Sequence, residues 1–146
     1  MIEATIAVRR GQDIESAAAK LPLERLFTVV ERHPFDEVEW DRRTIITRSM
    51  HNGVAHEEQN CEFPVFWSQN AANIAGSKYF RGRLGSPERE CSVRQMIGRV
   101  AAVIRGWGLE FGYFANTAEA DAFSDELTHI LLHQKAAFNS PVWFNV

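Results

Sequence analysis

The sequence predicts a mainly helical α+β domain carrying one β-hairpin. Two stretches in the last third of the chain place apolar residues at helical spacing. Two short runs, the first β-branched throughout, flank an Asn-Gly dipeptide near the middle. Apolar residues make up 45% of the 146 residues and charged residues 24%, the balance of a packed domain with a real core.

The first twenty residues are weakly patterned. Thr5-Ile6-Ala7-Val8 suits a short strand, and Ile14 to Lys20 a helical turn or two. Pro22 interrupts any continuous helix there. Residues 23–32 are ambiguous between strand and helix, and Phe27-Thr28 with Val29-Val30 favours strand slightly. Thr44-Ile45-Ile46-Thr47, Asn52-Gly53 and Val54 to Gln59 predict a β-hairpin at about 43–59. Asn-Gly suits a type I′ turn because both residues tolerate positive φ. Phe63-Pro64-Val65-Phe66-Trp67 is a compact apolar cluster, and a helix over about 67–76 follows it. Gly82, Gly85 and Pro87 make 81–91 a loop.

Ser92, with Gln95 three residues on, forms a capping-box pattern for the next helix. Its apolar face is Val93, Met96, Ile97, Val100, Ile104 and Trp107, and Gly106 and Gly108 predict its end. Gly112-Tyr113-Phe114 is a link. A second helix is predicted from about Ala118 to Phe138, with Asn116 and Glu119 as its cap. Phe123, Leu127, Ile130, Leu131 and, flanking Gln134, Ala137 or Phe138 lie on its apolar face, and it ends at Asn139-Ser140-Pro141 because the residue before Pro disfavours helix. Burying the two faces, about ten large side chains, contributes on the order of 15–30 kcal/mol before chain entropy is subtracted.

Charge and composition narrow the function classes. The net charge is −3, from 16 basic and 19 acidic residues, where phosphate-backbone binders show a basic excess. No run approaches the ~18 apolar residues of a membrane helix, and no signal peptide is evident. Cys61 and Cys91 form no CxxC pattern and read as reduced structural thiols of a cytoplasmic protein.

Local motifs for chemistry are few. His129 and His133 share a helix face, but Ile130 stands where a zincin has Glu, so the pair reads as packed or surface histidines and no metal is expected. Asp36, Glu37 and Glu39 read as a solvated acidic turn rather than an acid–base pair. Lys78, Arg81 and Arg83 flank Tyr79 and Phe80, but Glu88 and Glu90 offset their charge. No phosphate-binding glycine loop or nucleophile elbow is present. The end of the chain, Phe138 to Val146, is aromatic with interleaved polar residues. Exposed Trp and Phe rarely close a soluble domain, so this segment is expected to continue into, or pack on, something further.

That segment, Asn139-Ser140-Pro141-Val142-Trp143-Phe144-Asn145-Val146, resembles the lead into the catalytic barrel of class II, vitamin B12-dependent ribonucleotide reductases. Other motifs agree in the family's order: His33-Pro34-Phe35-Asp36-Glu37-Val38-Glu39-Trp40, Phe63-Pro64, Phe66-Trp67-Ser68, Asn70 with Asn73-Ile74, Ser77-Lys78-Tyr79-Phe80-Arg81-Gly82, and Leu131-Leu132-His133-Gln134. The similarity covers about residues 21–146 and leaves 1–20 as a variable segment.

The resemblance implies an N-terminal domain whose C-terminal end leads into an α/β barrel absent from this chain. It implies a whole enzyme that reduces ribonucleoside diphosphates to 2′-deoxyribonucleotides for DNA synthesis. In that enzyme a barrel thiyl radical takes the substrate's 3′ hydrogen and a cysteine pair supplies electrons. Adenosylcobalamin is the implied cofactor of the full enzyme, not one bound by this fragment alone. The implied partners are the ribonucleotide substrate, a thioredoxin-like reductant and a second copy in a homodimer. No nucleic-acid polymer and no membrane are implied. Neither Cys61 nor Cys91 matches a family catalytic position, so no catalytic residue and no activity are expected in the isolated chain. Ser140 alone carries over, at the Ser/Thr-Pro position that contacts substrate phosphates in related reductases. Its bland alternative is a serine that caps the helix end and starts a turn. The rival reading is a stand-alone interaction or nucleotide-binding module from a truncated gene.

Overall fold

The structure is a computed structural model that describes residues 23–48 and 55–146. The expected strand at Thr5–Val8, the helical turns at 14–20 and the Asn52-Gly53 turn lie outside the described residues. Within them, four α-helices and a two-stranded antiparallel sheet make a mixed α+β fold.

The hairpin is longer than its β-branched centre suggests. Strand β1 is Trp40–Arg48 and β2 is Ala55–Pro64, paired from Trp40↔Pro64 to Arg48↔Ala55. The register shifts between Arg43 and Ile45, where β2 carries one extra residue. Asn60 absorbs that bulge at φ 60°, a left-handed conformation Asn tolerates better than most residues. Ile45, Cys61 and Phe63 are fully buried under the helices.

The slight preference for strand at 27–30 is corrected. This stretch makes only an isolated bridge, Val29 to Arg32. Among the described residues it pairs with no strand of the sheet, and Leu26, Val29 and Val30 are exposed. Its backbone is held instead by a side chain: the N–H groups of Phe27 and Thr28 and the Thr28 hydroxyl all donate to Glu126. A 3₁₀ turn at Pro34–Asp36 follows, capped by the His33 ring.

Helix α1 is Gln69–Tyr79, capped by Ser68, whose hydroxyl accepts from Ala71 N–H at 3.1 Å. Helix α2 is Val93–Glu110. Ser92 caps it and Gln95 reaches back as the capping box predicts, although Gln95 accepts from Cys91 N–H rather than from the cap residue. The expected stop at Gly106 and Gly108 is corrected, because the helix runs through both. It ends in a Schellman turn one step later, with Tyr113 N–H bonded to Gly108 C=O and Gly112 at φ 68°. Trp107, expected on the buried face, is 45% exposed, and Gly108 faces inward instead.

Helix α3 is Thr117–Leu132, with Asn116 and Glu119 capping as expected. It stops six residues short of the expected end. Gln134 turns left-handed at φ 55°, Lys135 N–H closes on Ile130 C=O, and Trp67 Nε1 donates to Leu132 C=O at 2.8 Å. A carbonyl of the last turn is thus taken by a side chain from across the fold. Pro141, read as a helix stop, instead opens helix α4, Ser140–Asn145, where its fixed φ suits the first turn. Among the described residues no helix is long and apolar enough to cross a membrane.

Candidate functional site

Ser140 is the sequence-predicted site residue, and the fold anchors it. It is partly buried at the start of α4, and its Oγ lies 3.1 Å from the Tyr79 hydroxyl at the end of α1. Trp143, one turn on, is buried, and its Nε1 donates to Phe138 C=O. The Tyr79 ring packs against Trp143 and Phe144, with centroids 6.2 and 5.6 Å away. The expectation of exposed terminal aromatics therefore splits: Trp143 packs within this domain, while Phe144 is 54% exposed.

Two arginines grip the far end of α4, where helix carbonyls lack partners. Arg99 of α2 donates to the carbonyls of Trp143 and Val146, and Arg81 donates to that of Phe144. Glu90 organises both. One of its oxygens accepts from Arg99 Nε at 2.8 Å, and the other accepts from Arg81 N–H at 2.8 Å. Glu90 is 8% exposed, so this ion pair works in a dry, low-dielectric setting. Sequence reasoning missed Glu90 and Arg99 as a pair, since no spacing rule links position 90, position 99 and the carbonyls of 143–146. Beside this anchor lies an apolar cavity of about 370 Å³, lined by Trp67, Ala75, Tyr79, Ile97, Leu131 and Trp143.

The other candidates fall elsewhere. His129 and His133 stack within a row of aromatic rings. Their rings lie 4.2 Å apart in a run that continues to Phe27 on one side and Phe66 on the other. Burial lowers the proton affinity of both, and the nearby Lys135 lowers it further. Among the described residues no three His, Cys, Asp or Glu side chains gather to hold a metal. Burial pushes the Glu126 carboxyl up, but hydrogen bonds from Thr28 and Phe27 outweigh it and hold the group below its ordinary range. Asp36, Glu37 and Glu39 are exposed, and Asp36 faces Arg94 at 4.0 Å. Of the basic trio, Lys78 and Arg83 point to solvent while Arg81 holds α4. Cys61 is buried and Cys91 exposed, and both are free thiols.

Residues 41–134 match the family model described as class II vitamin B12-dependent ribonucleotide reductase. A vitamin B12-dependent ribonucleotide reductase of Streptomyces avermitilis is 47% identical over 148 aligned residues, taking in all of this chain and 15% of that protein. The enzyme of the same name from Streptomyces clavuligerus is 46% identical, over all of this chain and 16% of its own length. The one from Rhodopirellula baltica is 46% identical over 79% of this chain and 11% of its own length. The chain thus spans about a seventh of the Streptomyces relatives. With nearly two thirds of its residues inside the family model, this chain belongs to the class II vitamin B12-dependent ribonucleotide reductases and corresponds to their N-terminal domain.

Proposed function

We propose that this chain is the non-catalytic entry domain of an adenosylcobalamin-dependent ribonucleoside-diphosphate reductase, with residues 21–146 as the domain and 1–20 as a variable N-terminal segment. Its work is to support a barrel and to present Ser140 to the phosphates of the substrate. The reductase runs in the cytoplasm on a thioredoxin-type dithiol, as a homodimer. The observation that carries the reading is the anchoring of α4, with Tyr79 on the Ser140 hydroxyl and the Glu90–Arg99–Arg81 group on its last carbonyls.

The described residues do not fit cobalamin themselves. The cavity beside Tyr79, about 370 Å³, is small for a corrin macrocycle, and the two histidines are engaged in ring packing. No cofactor step is therefore assigned to this chain. Its own chemistry is binding. A Ser140 hydroxyl that donates to a phosphate oxygen leaves its Oγ free to accept from Tyr79, which fixes the rotamer. A hydrogen bond to a charged group contributes about 1.5–3 kcal/mol, or roughly 10–100-fold in affinity.

The test is Ser140→Ala in a full-length reductase carrying this domain. KM for the ribonucleoside diphosphate should rise roughly 10–100-fold with kcat nearly kept. An unchanged kcat/KM refutes the phosphate role. The 146-residue chain alone, given adenosylcobalamin and a dithiol, should not reduce ribonucleotides, and measurable turnover would refute the non-catalytic reading.

A further inference from the structure

Cys61 and Cys91 are unrelated in sequence, but the fold makes them neighbours. Glu62 of β2 and Ser92, the cap of α2, form a parallel bridge. Glu62 N–H donates to Cys91 C=O at 2.8 Å. The Ser92 hydroxyl donates to the Glu62 carboxylate at 2.7 Å, so those two side chains share one face of the bridge. Side chains alternate along extended backbone, so the residues one step earlier, Cys61 and Cys91, share the opposite face. Neighbouring extended chains run ~4.8 Å apart. A disulfide needs Cα atoms roughly 4.4–6.8 Å apart, so backbone spacing suits one. Both cysteines line a single cavity of about 320 Å³, together with Glu58, Ser86 and Arg89. Cys61 has no exposure, while Cys91 meets solvent.

We propose that Cys61 and Cys91 are a reversible redox pair, closed to an intramolecular disulfide by peroxide. The exposed Cys91 reacts first. Its thiolate attacks one peroxide oxygen, the O–O bond breaks, and hydroxide leaves as Cys91 becomes a sulfenic acid. Cys61 then attacks that sulfur across the shared cavity. The S–S bond forms, the S–O bond breaks, and the departing oxygen leaves as water with the Cys61 proton. Two thiols and one peroxide thus become one disulfide and two waters, and a dithiol reverses the step by exchange. Burial and the Glu58 carboxylate push the Cys61 thiol up to about 11, so closure quickens as pH rises. The loop closed, residues 61–91, carries Tyr79, Arg81 and Glu90, three of the groups that hold α4. The pair does not depend on the phosphate role of Ser140.

The test treats the folded 146-residue chain with hydrogen peroxide, blocks free thiols by alkylation, and reads intact mass and peptide map. The expected product is a monomer lighter by two hydrogens, with a Cys61–Cys91 linked peptide that dithiothreitol releases. Cys91→Ser should abolish the linkage, and Cys61→Ala should leave a sulfenic acid that dimedone traps at Cys91. The proposal is overturned if the wild-type chain yields only over-oxidised Cys91 or a Cys91–Cys91 dimer, with Cys61 still free to alkylate after unfolding. Cross-linking as fast in urea-unfolded chain as in folded chain overturns it too, since the fold would then contribute nothing. The wild-type product decides the matter even if Cys61→Ala folds poorly.

Discussion

Gly106 and Gly108 sit two residues apart in α2, and one substitution made at each should have opposite effects. Replacing a helical Gly by Ala stabilises by about 0.5–1 kcal/mol through backbone entropy. At Gly106 an added Cβ meets nothing within 4 Å, so Gly106→Ala should realise that gain. For a domain of this size the melting midpoint should rise by about 2–4 °C per kcal/mol. At Gly108 the added Cβ would lie 2.0 Å from Phe114 Cε2 and 2.7 Å from its Cδ2 and Cζ. No carbon fits there, so the Phe114 ring must leave its place against Phe123, where the centroids are 5.2 Å apart. Overpacking of this kind costs about 1–3 kcal/mol, which offsets or exceeds the helix gain. The two variants should therefore differ by about 1–3 kcal/mol, with Gly108→Ala the less stable. Urea or thermal unfolding of the 146-residue chain measures both. Equal stabilisation would refute the close approach of Phe114, and destabilisation by Gly106→Ala would refute a helix that continues through 106.

Two further outcomes follow from charge. The folded state lowers the pKa of His129 and His133 below the ordinary 6.5, so it prefers them neutral. Their contribution is fully present above about 6.5 and is lost as pH falls below it, so the unfolding midpoint should drop from pH 7 to pH 5. The lowered Glu126 acts in a separate window, below 4.5, and a midpoint flat from pH 7 to 5 would count against the half-buried histidine pair. Glu90→Gln leaves the Arg99 charge without its carboxylate at a site where the two side chains are 14% and 10% exposed. The expected loss is about 3 kcal/mol with a red shift of tryptophan emission as Trp143 loosens, and an unchanged midpoint would show that the ion pair does not hold α4.

Legibility in the sequence tracked how local each determinant is. The centre of the hairpin, the caps at Ser92 and Asn116 and the loop at 81–91 were all readable, because each depends on residues within a turn of one another. Errors came where a distant partner decides. Two glycines resemble a stop signal, yet at Gly108 the missing side chain makes room for Phe114. The last turn of α3 looked continuous to 138, yet Trp67, 65 residues earlier, takes the carbonyl of Leu132. The strand preference at 27–30 finds no strand partner in the sheet among the described residues, and Glu126 supplies the hydrogen bonds to Phe27 and Thr28.

The candidate site divides in the same way. The family was legible from the chain, because its motifs run through consecutive residues and the family model matches 41–134, whereas Ser140 lies beyond that match and its role is the proposal made above. What holds Ser140 was not. Tyr79 and Arg99 reach α4 across 61 and 44 residues of chain, Glu90 acts through Arg99 and Arg81, and Cys61 comes beside Cys91 because a helix cap pairs with a strand. By itself the sequence determined the periodicities, the caps and the identity of the domain, since those are properties of neighbouring side chains and of an ordered motif. Only the tertiary structure decided where helices end, which aromatics are buried and which charges are paired. Those outcomes depend on desolvation and on steric room, which exist only once distant segments have packed.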